Sequence, residues 1–262
     1  DELQVKDVAN YLMNQDRSGS WKNSYIETLG SIYKECTWHT SKIITKPIFP
    51  RFARNSKKAD IFTTQELNAI FNPEIWECRP EYLLFLCMAT CGLRLGEARA
   101  IRACQFDFNA KTLIIDGFCK RNGERTNYNK KGSNEDTKLR VVVLPDITGK
   151  ALNSFIEENG ILPNDYVFSE RFGLPLRQEY LETVLRRVFI KADIKKNGRK
   201  LVPHSFRFTY VTRMRRNLEA GTVQQLAGHS SVEMTDYYTR AAIPEMKKTV
   251  QKALPAANSL FE

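Results

Sequence analysis

Apolar residues recur at helical spacing along most of the chain and form β-like runs at only two places. Val5, Val8, Ala9, Leu12 and Met13 share one helix face. After a Ser-Gly-Ser break at 18–20, Ile26, Leu29, Ile32 and Tyr33 do the same in a segment spanning roughly residues 23–39. Thr63 followed by Glu66 and Leu67 has the pattern of an N-cap opening a helix. From Tyr82 to Leu93 the chain is almost uninterruptedly apolar, which predicts a buried helix over residues 82–90. The β-rich runs are Leu113-Ile114-Ile115 and residues 139–144 (LRVVVL), with Asn122-Gly123 between them as a hairpin turn. A three-stranded antiparallel sheet is expected. Helical patterns return over residues 151–158 and 179–192, with Pro163 and Gly173-Leu174-Pro175 as turns. They continue through Phe206, Tyr210, Val211 and Met214, and after a Glu219-Ala220-Gly221 break through Val223, Leu226 and Ala227. The fold class is therefore mainly α with a small antiparallel β-sheet, an α+β arrangement.

Two domains are expected. Residues 1–58 read as a partial helical domain, cut short at its N-terminus, plus a basic linker; residues 59–262 read as the main domain with a C-terminal tail. Between residues 41 and 59 lie six basic residues (Lys42, Lys46, Arg51, Arg54, Lys57, Lys58), two prolines and no acid, a linker composition. In the tail, Met246, Val250 and Leu254 make an apolar stripe that Pro255 should end, and Leu260-Phe261 adds a second apolar pair.

Charge narrows the partner. The 262 residues carry 40 Lys+Arg against 30 Asp+Glu, a net charge of +10. Residues 186–216 alone hold eleven basic residues, Arg199 and Lys200 among them, against the single acid Asp193, so this one segment matches the excess of the whole chain. Cations this concentrated suit a polyanion. No apolar run is long enough to span a bilayer, and no signal peptide is visible. Six cysteines (Cys36, Cys78, Cys87, Cys91, Cys104, Cys119) show neither Cys-x-x-Cys spacing nor a histidine cluster, as expected of reduced thiols in a cytoplasmic protein.

The candidate chemistry lies in residues 201–240. His204 and Arg207 are three apart on one helix face, so one site can use both. Gly228-His229 presents an imidazole at a turn, Ser230 with Glu233 reads as a capping box, and the helix so opened carries Tyr237 and Tyr238. Arginine and histidine can neutralise a pentavalent phosphorane while a tyrosine hydroxyl supplies the nucleophile. With no acidic cluster at metal-binding spacing, neither a metal nor a cofactor is implied.

His-x-x-Arg, then Gly-His, then Tyr238 nine residues later and followed by Thr-Arg, resembles the C-terminal signature of the tyrosine recombinases, the phage and transposon integrase type. Thr90-Cys91-Gly92-Leu93-Arg94-Leu95-Gly96-Glu97 resembles that family's first arginine box. The resemblance covers residues 61–250. It departs at Phe206 and Ala227, where leucine is usual. It implies a site-specific recombinase with catalytic residues Arg94, His204, Arg207, His229 and the nucleophile Tyr238, forming a 3′-phosphotyrosyl intermediate. It also implies a lysine on the β-hairpin turn, best matched by Lys131, with Lys130 and Lys138 as alternatives because the turn is long. Further implications are double-stranded DNA as partner and a homo-tetramer on two synapsed sites, each C-terminal tail docking on a neighbouring protomer. Lys42, Lys46, Arg51, Arg54, Lys57, Lys58, Arg199 and Lys200 are the expected DNA contacts. A type IB topoisomerase is the nearest rival, but it usually carries lysine in place of His204. A non-catalytic DNA-binding protein of the same fold is the other.

Overall fold

The structure, a computed structural model, describes residues 5–39, 48–53, 60–127, 140–170, 173–227 and 253–259. The chain divides into two compact units, Asp1–Lys58 and Ala59–Glu262.

In the first unit, α1 (Val5–Met13) and α2 (Gly19–His39) flank a turn in which the Ser18 hydroxyl accepts from the Trp21 amide at 3.3 Å. The helix thus starts four residues before the apolar pattern does. Its covered face is also rotated from the expected one: Asn23 is buried, Ile26 and Tyr33 are half-buried, and Ile32 is 52% exposed. The reason is Asn23, whose side chain donates to Phe52 O at 2.8 Å and accepts from Phe52 N at 2.9 Å. A satisfied amide can be buried where an unpaired one could not, and it fixes the strip 48–53 along α2, with Phe49 6.2 Å from Tyr33.

The second unit opens with α3 (Thr64–Ile70). Thr63 accepts from the Glu66 amide while Glu66 accepts from the Thr63 amide, a complete capping box. α4 (Arg79–Cys91) follows, buried continuously from Leu83 to Cys91, and it is the axis of the main core. A helix apolar on every side has to be wrapped by its neighbours. α5 (Leu95–Arg99), α6 (Asp146–Glu158), α7 (Gln178–Lys191) and α8 (Pro203–Asn217) supply the wrapping, and α9 (Ala220–Ala227) packs beyond α8. Phe206 is fully buried, 4.7 Å from Phe62 and 5.6 Å from both Phe71 and Phe85. An aromatic ring at this position fills a cluster of rings and anchors the first turn of α8.

The strands are β1 (Phe106–Asp107), β2 (Thr112–Ile115), β3 (Gly117–Cys119), β4 (Arg125–Asn127) and β5 (Arg140–Val143). The expected hairpin at Asn122-Gly123 joins β3 to β4, with Gly123 at φ 91°. It forms its own two-stranded sheet, however. The three-stranded sheet is β1-β2-β5, antiparallel, with Leu113 opposite Val142 and Ile115 opposite Arg140. The difference arises because Leu113, Ile115, Val142 and Leu144 all turn into the main core, whereas Ile114, Val141 and Val143 turn to a second, smaller core. Strands with both faces covered pair with each other, leaving the more polar hairpin aside.

The smaller core also holds Tyr210, Met214, Val223 and Leu226, together with Ala253 and Ala257 of the C-terminal segment. Residues 253–258 are helical, so Pro255 lies inside a helical turn rather than ending one. Asn258 and Asp146 exchange hydrogen bonds at 3.0 Å, fixing this segment to the start of α6.

Candidate active site

The geometry starts at Gly92. α4 ends there in the left-handed conformation, φ 67°, and a Cβ at this position would sit 2.3 Å from the Tyr210 ring. Only glycine meets both conditions. The sharp turn leads to Arg94, which is the N-cap of α5, and Glu97 reaches back to it: Arg94 N donates to Glu97 Oε2 and Arg94 Nη1 to Glu97 Oε1, both at 2.8 Å. The Glu97 side chain is wholly buried while 35% of the Arg94 side chain remains exposed. The structural ion pair and the candidate catalytic arginine are therefore the same contact, with the carboxylate at its inner end.

Arg207, on the second turn of α8, is 2% exposed and its Nη1 donates to Gly92 O at 2.6 Å. Burial, followed by the Arg94 and Arg140 charges, pushes its pKa down to about 9, which still leaves it protonated at neutral pH. His204 lies one turn earlier and is exposed, its ring edge-on to Phe208 at 5.0 Å. Partial desolvation, reinforced by Arg207 and Arg94 and opposed by Glu97, holds its pKa below the ordinary 6.5. The imidazole is therefore neutral at neutral pH and can accept a proton. The turn is held by Ser205, whose hydroxyl accepts from Val202 N and donates to Lys200 O, and by Thr209, which accepts from Phe62 N at 2.9 Å.

One residue of this cluster escapes sequence reasoning. Arg140, at the start of β5, is 1% exposed and donates through Nη1 and Nη2 to the two oxygens of Glu97, each at 2.7 Å; its Nε donates to Leu226 O at 3.2 Å. Burial alone would raise the Glu97 pKa, but Arg140 and Arg94 overcome it and hold the carboxyl well below its ordinary value. The signal available in the sequence is an arginine among valines in a strand whose faces are both covered. Two guanidiniums thus bond to one carboxylate, and Arg207, bonded to Gly92 O, is close enough for the charges of all three to act on it, a local excess of two positive charges in a partly desolvated place. Such a site attracts a polyanion and can place fork-shaped donors on non-bridging phosphate oxygens.

Other expected site residues fare differently. Arg199 donates to both carboxylate oxygens of Glu66 and to the carbonyls of Lys195, Lys196 and Ile61, so its guanidinium is occupied within the fold. The Lys200 backbone pairs with Asp60. Arg51 is exposed. Lys42, Lys46, Arg54, Lys57, Lys58, Lys130, Lys131, Lys138, His229, Tyr237 and Tyr238 lie outside the described residues, as do the Ser230 capping box, Met246, Val250 and the Leu260-Phe261 pair. Every cysteine is free; Cys87 and Cys91 are fully buried on α4, with burial raising the Cys91 pKa to about 12, as expected of core thiols. Among the described residues no histidine, cysteine and carboxylate group could hold a metal ion, and no helix is long and apolar enough to cross a membrane.

Comparison with known proteins adds an independent line. The model of the phage integrase family matches residues 62–244. A tyrosine recombinase XerC of Lacticaseibacillus casei is 26% identical over 168 residues, covering 64% of this chain and 52% of the relative. A XerC of Listeria welshimeri is 28% identical over 202 residues, covering 75% and 62%. The chain thus spans between about half and three-fifths of the length of these relatives. Among solved structures, the Tn1549 transposon integrase in complex with transposon right end DNA superposes with a TM-score of 0.70 at 14% identity, covering 95% of this chain and 86% of that one. The likeness is one of fold.

Proposed function

The chain belongs to the phage integrase family, and from that premise we propose that it is a site-specific DNA recombinase that cuts and rejoins DNA through a 3′-phosphotyrosyl intermediate. The observation that carries this reading is the grouping of Arg94 and Arg140, both bonded to Glu97, with Arg207, which feels the charges of all three, and a neutral imidazole, His204, beside them. Charge developing on phosphorus is met by fixed guanidiniums, so no metal is required for the chemistry. Arg94 and Arg207 take the non-bridging oxygens and His229 supplies a further donor. The Tyr238 oxygen attacks phosphorus, its proton passing to His204, as the P–O bond to the 5′-oxygen breaks. Lys131 gives the leaving oxygen its proton; Lys130 and Lys138 are the alternatives. The phosphodiester energy is kept in the tyrosyl ester, so resealing needs no nucleotide.

On this reading residues 1–58 form a helical domain and basic linker that grip the core DNA, and Lys42, Lys46, Arg51, Arg54, Lys57 and Lys58 contact its backbone. The working assembly is a homo-tetramer on two synapsed duplexes in the cytoplasm, in which the tail exchanges from its own body to a neighbour's. The smaller core that receives residues 253–259 supports this, because it is a ready-made acceptor for an apolar helical segment.

The test is covalent capture. Incubated with nicked duplexes of randomised sequence, from which the cleaved fragment diffuses away, the protein is expected to leave a denaturant-resistant DNA adduct, and the Tyr238→Phe protein none. A wild-type protein that binds these duplexes but never forms an adduct would support a non-catalytic DNA-binding protein instead. Adducts on isolated single sites, with relaxation of supercoils and no strand exchange, would favour the topoisomerase-like reading.

A further inference from the structure

Glu97 is the carboxylate beneath Arg94, and Arg140 is the group that holds Glu97. The three Arg140 nitrogens are all spent: Nη1 and Nη2 on the two Glu97 oxygens at 2.7 Å, and Nε on the carbonyl of Leu226 at 3.2 Å. These partners come from distant parts of the chain. Glu97 lies on α5, three residues past Arg94; Leu226 is on the last turn of α9, three residues before His229. Arg140 itself opens β5, nine residues after Lys131. A planar fork that satisfies both oxygens of a buried carboxylate admits only a narrow range of relative positions. A lysine in the same place would offer a point charge and no fork. Arg140 is therefore where the arginine box and the end of the helix preceding the histidine are brought into one register.

We propose that Arg140 is a positioning residue for strand cleavage, setting through Glu97 where the Arg94 guanidinium sits and tying that carboxylate to α9 through Leu226. The inference rests on the recombinase reading and deepens it. Arg140 has no contact with substrate in this scheme and supplies no proton. Its loss leaves Glu97 free to turn its full charge on Arg94, drawing that guanidinium inward and away from the phosphate, while the DNA-gripping surfaces are untouched.

The experiment uses the full chain and the same nicked duplexes, with wild type, Arg140→Met and Arg140→Lys compared by melting, by DNA binding and by single-turnover adduct formation. Arg140→Met is expected to bind DNA within about twofold of wild type and to form adduct at least ten times more slowly, with Arg140→Lys in between. A second substrate separates positioning from general loosening of the fold. A methylphosphonate at the scissile position removes one of the negative oxygens that Arg94 would meet, so the Arg140→Met defect should shrink several-fold on it relative to the natural phosphodiester. Equal defects on both substrates, or none on either, would overturn the proposal. So would loss of folding in both variants, since Arg140 would then be a folding residue. Absence of adduct in wild type overturns the recombinase reading itself, an outcome distinct from each of these.

Discussion

Arg207 Nη1 donates to the carbonyl oxygen of Gly92 at 2.6 Å, joining the two arginine segments of the chain across 115 residues. Gly92 O is available only because the residue is left-handed, and the Tyr210 ring occupies the place of its missing Cβ. Gly92→Ala is expected to lower stability by ~2 to 4 kcal/mol, from strain in φ and from the overlap with the ring. Thermal melting reads this. Gly92→Ala with Tyr210→Leu should recover part of the loss, the steric part, and no recovery would mean that the backbone angle alone requires glycine.

Glu97 is held ionised by two guanidiniums, against a burial that disfavours the charge. Its folded pKa lies below the ordinary 4.5, so between the two values the unfolded chain binds the extra proton. The stabilisation is complete above the ordinary value and is lost as pH falls through the folded one. Glu97→Gln should therefore flatten the dependence of melting temperature on pH below about pH 5, and it should cost ~3 to 5 kcal/mol at neutral pH because the buried Arg140 charge loses its partner. A variant whose acid limb parallels wild type would show that other carboxylates govern it.

His204 has linkage of the same sign, for a different reason, since here the neutral form is the one the fold favours. With a folded pKa below 6.5, the unfolded chain takes up its proton first as pH falls, so protonation of this group opposes folding below the ordinary value. NMR titration of labelled histidine is expected to place the midpoint below 6.5 in wild type. Arg207→Leu removes a neighbouring positive charge and should move it upward, whereas an unmoved midpoint would leave desolvation and the Arg94 charge as the causes.

Much of this site was readable in the chain, and the exceptions have a common physical origin. His204 with Arg207, and Arg94 with Glu97, are local pairs three residues apart, and helix geometry brings such pairs together whatever the surroundings. Thr63 and Glu66 were legible for the same reason. Arg140 was not, because its partner is 43 residues away and a strand arginine is ordinarily solvated. The pairing of Arg199, an expected DNA contact, was hidden for a related reason: charge density along the sequence does not reveal a Glu66 that lies 133 residues away and bonds to it. The rotated face of α2 and the composition of the sheet likewise depend on distant partners, Phe52 for Asn23 and the two cores for β2 and β5.

Arg199 can be tested directly. Because its guanidinium is spent on Glu66 and three carbonyls, Arg199→Ala should lower the melting temperature while leaving the salt dependence of DNA binding nearly unchanged. Removing a cation that does contact phosphate should reduce the slope of log affinity against log salt by about 0.9, the expectation for one released counterion on duplex DNA. Lys42→Ala and Lys46→Ala are expected to show that change. A full-unit drop for Arg199→Ala would mean that it leaves Glu66 when DNA binds.

The tail offers two destinations that differ in consequence. In the single chain Ala253 and Ala257 are fully covered by the smaller core, beside Tyr210 and Leu226, and Leu226 O is the carbonyl that Arg140 grips. Whatever occupies this surface therefore lies against α9, in the same small core as Leu226. If a neighbour's segment takes the same place during synapsis, assembly and cleavage are coupled through that contact, and the coupling must run both ways. Removal of residues 245–262 should then weaken synapsis on two-site DNA and alter adduct formation, while the shortened chain still folds and still binds one site. A labelled peptide of residues 245–262 should bind the shortened chain and fail to bind the full one, whose surface is already filled. Unchanged synapsis would exclude exchange. A shortened chain that does not fold would mean instead that the segment is a permanent part of its own core, with Val141, Val143 and Met214 too apolar to be left bare.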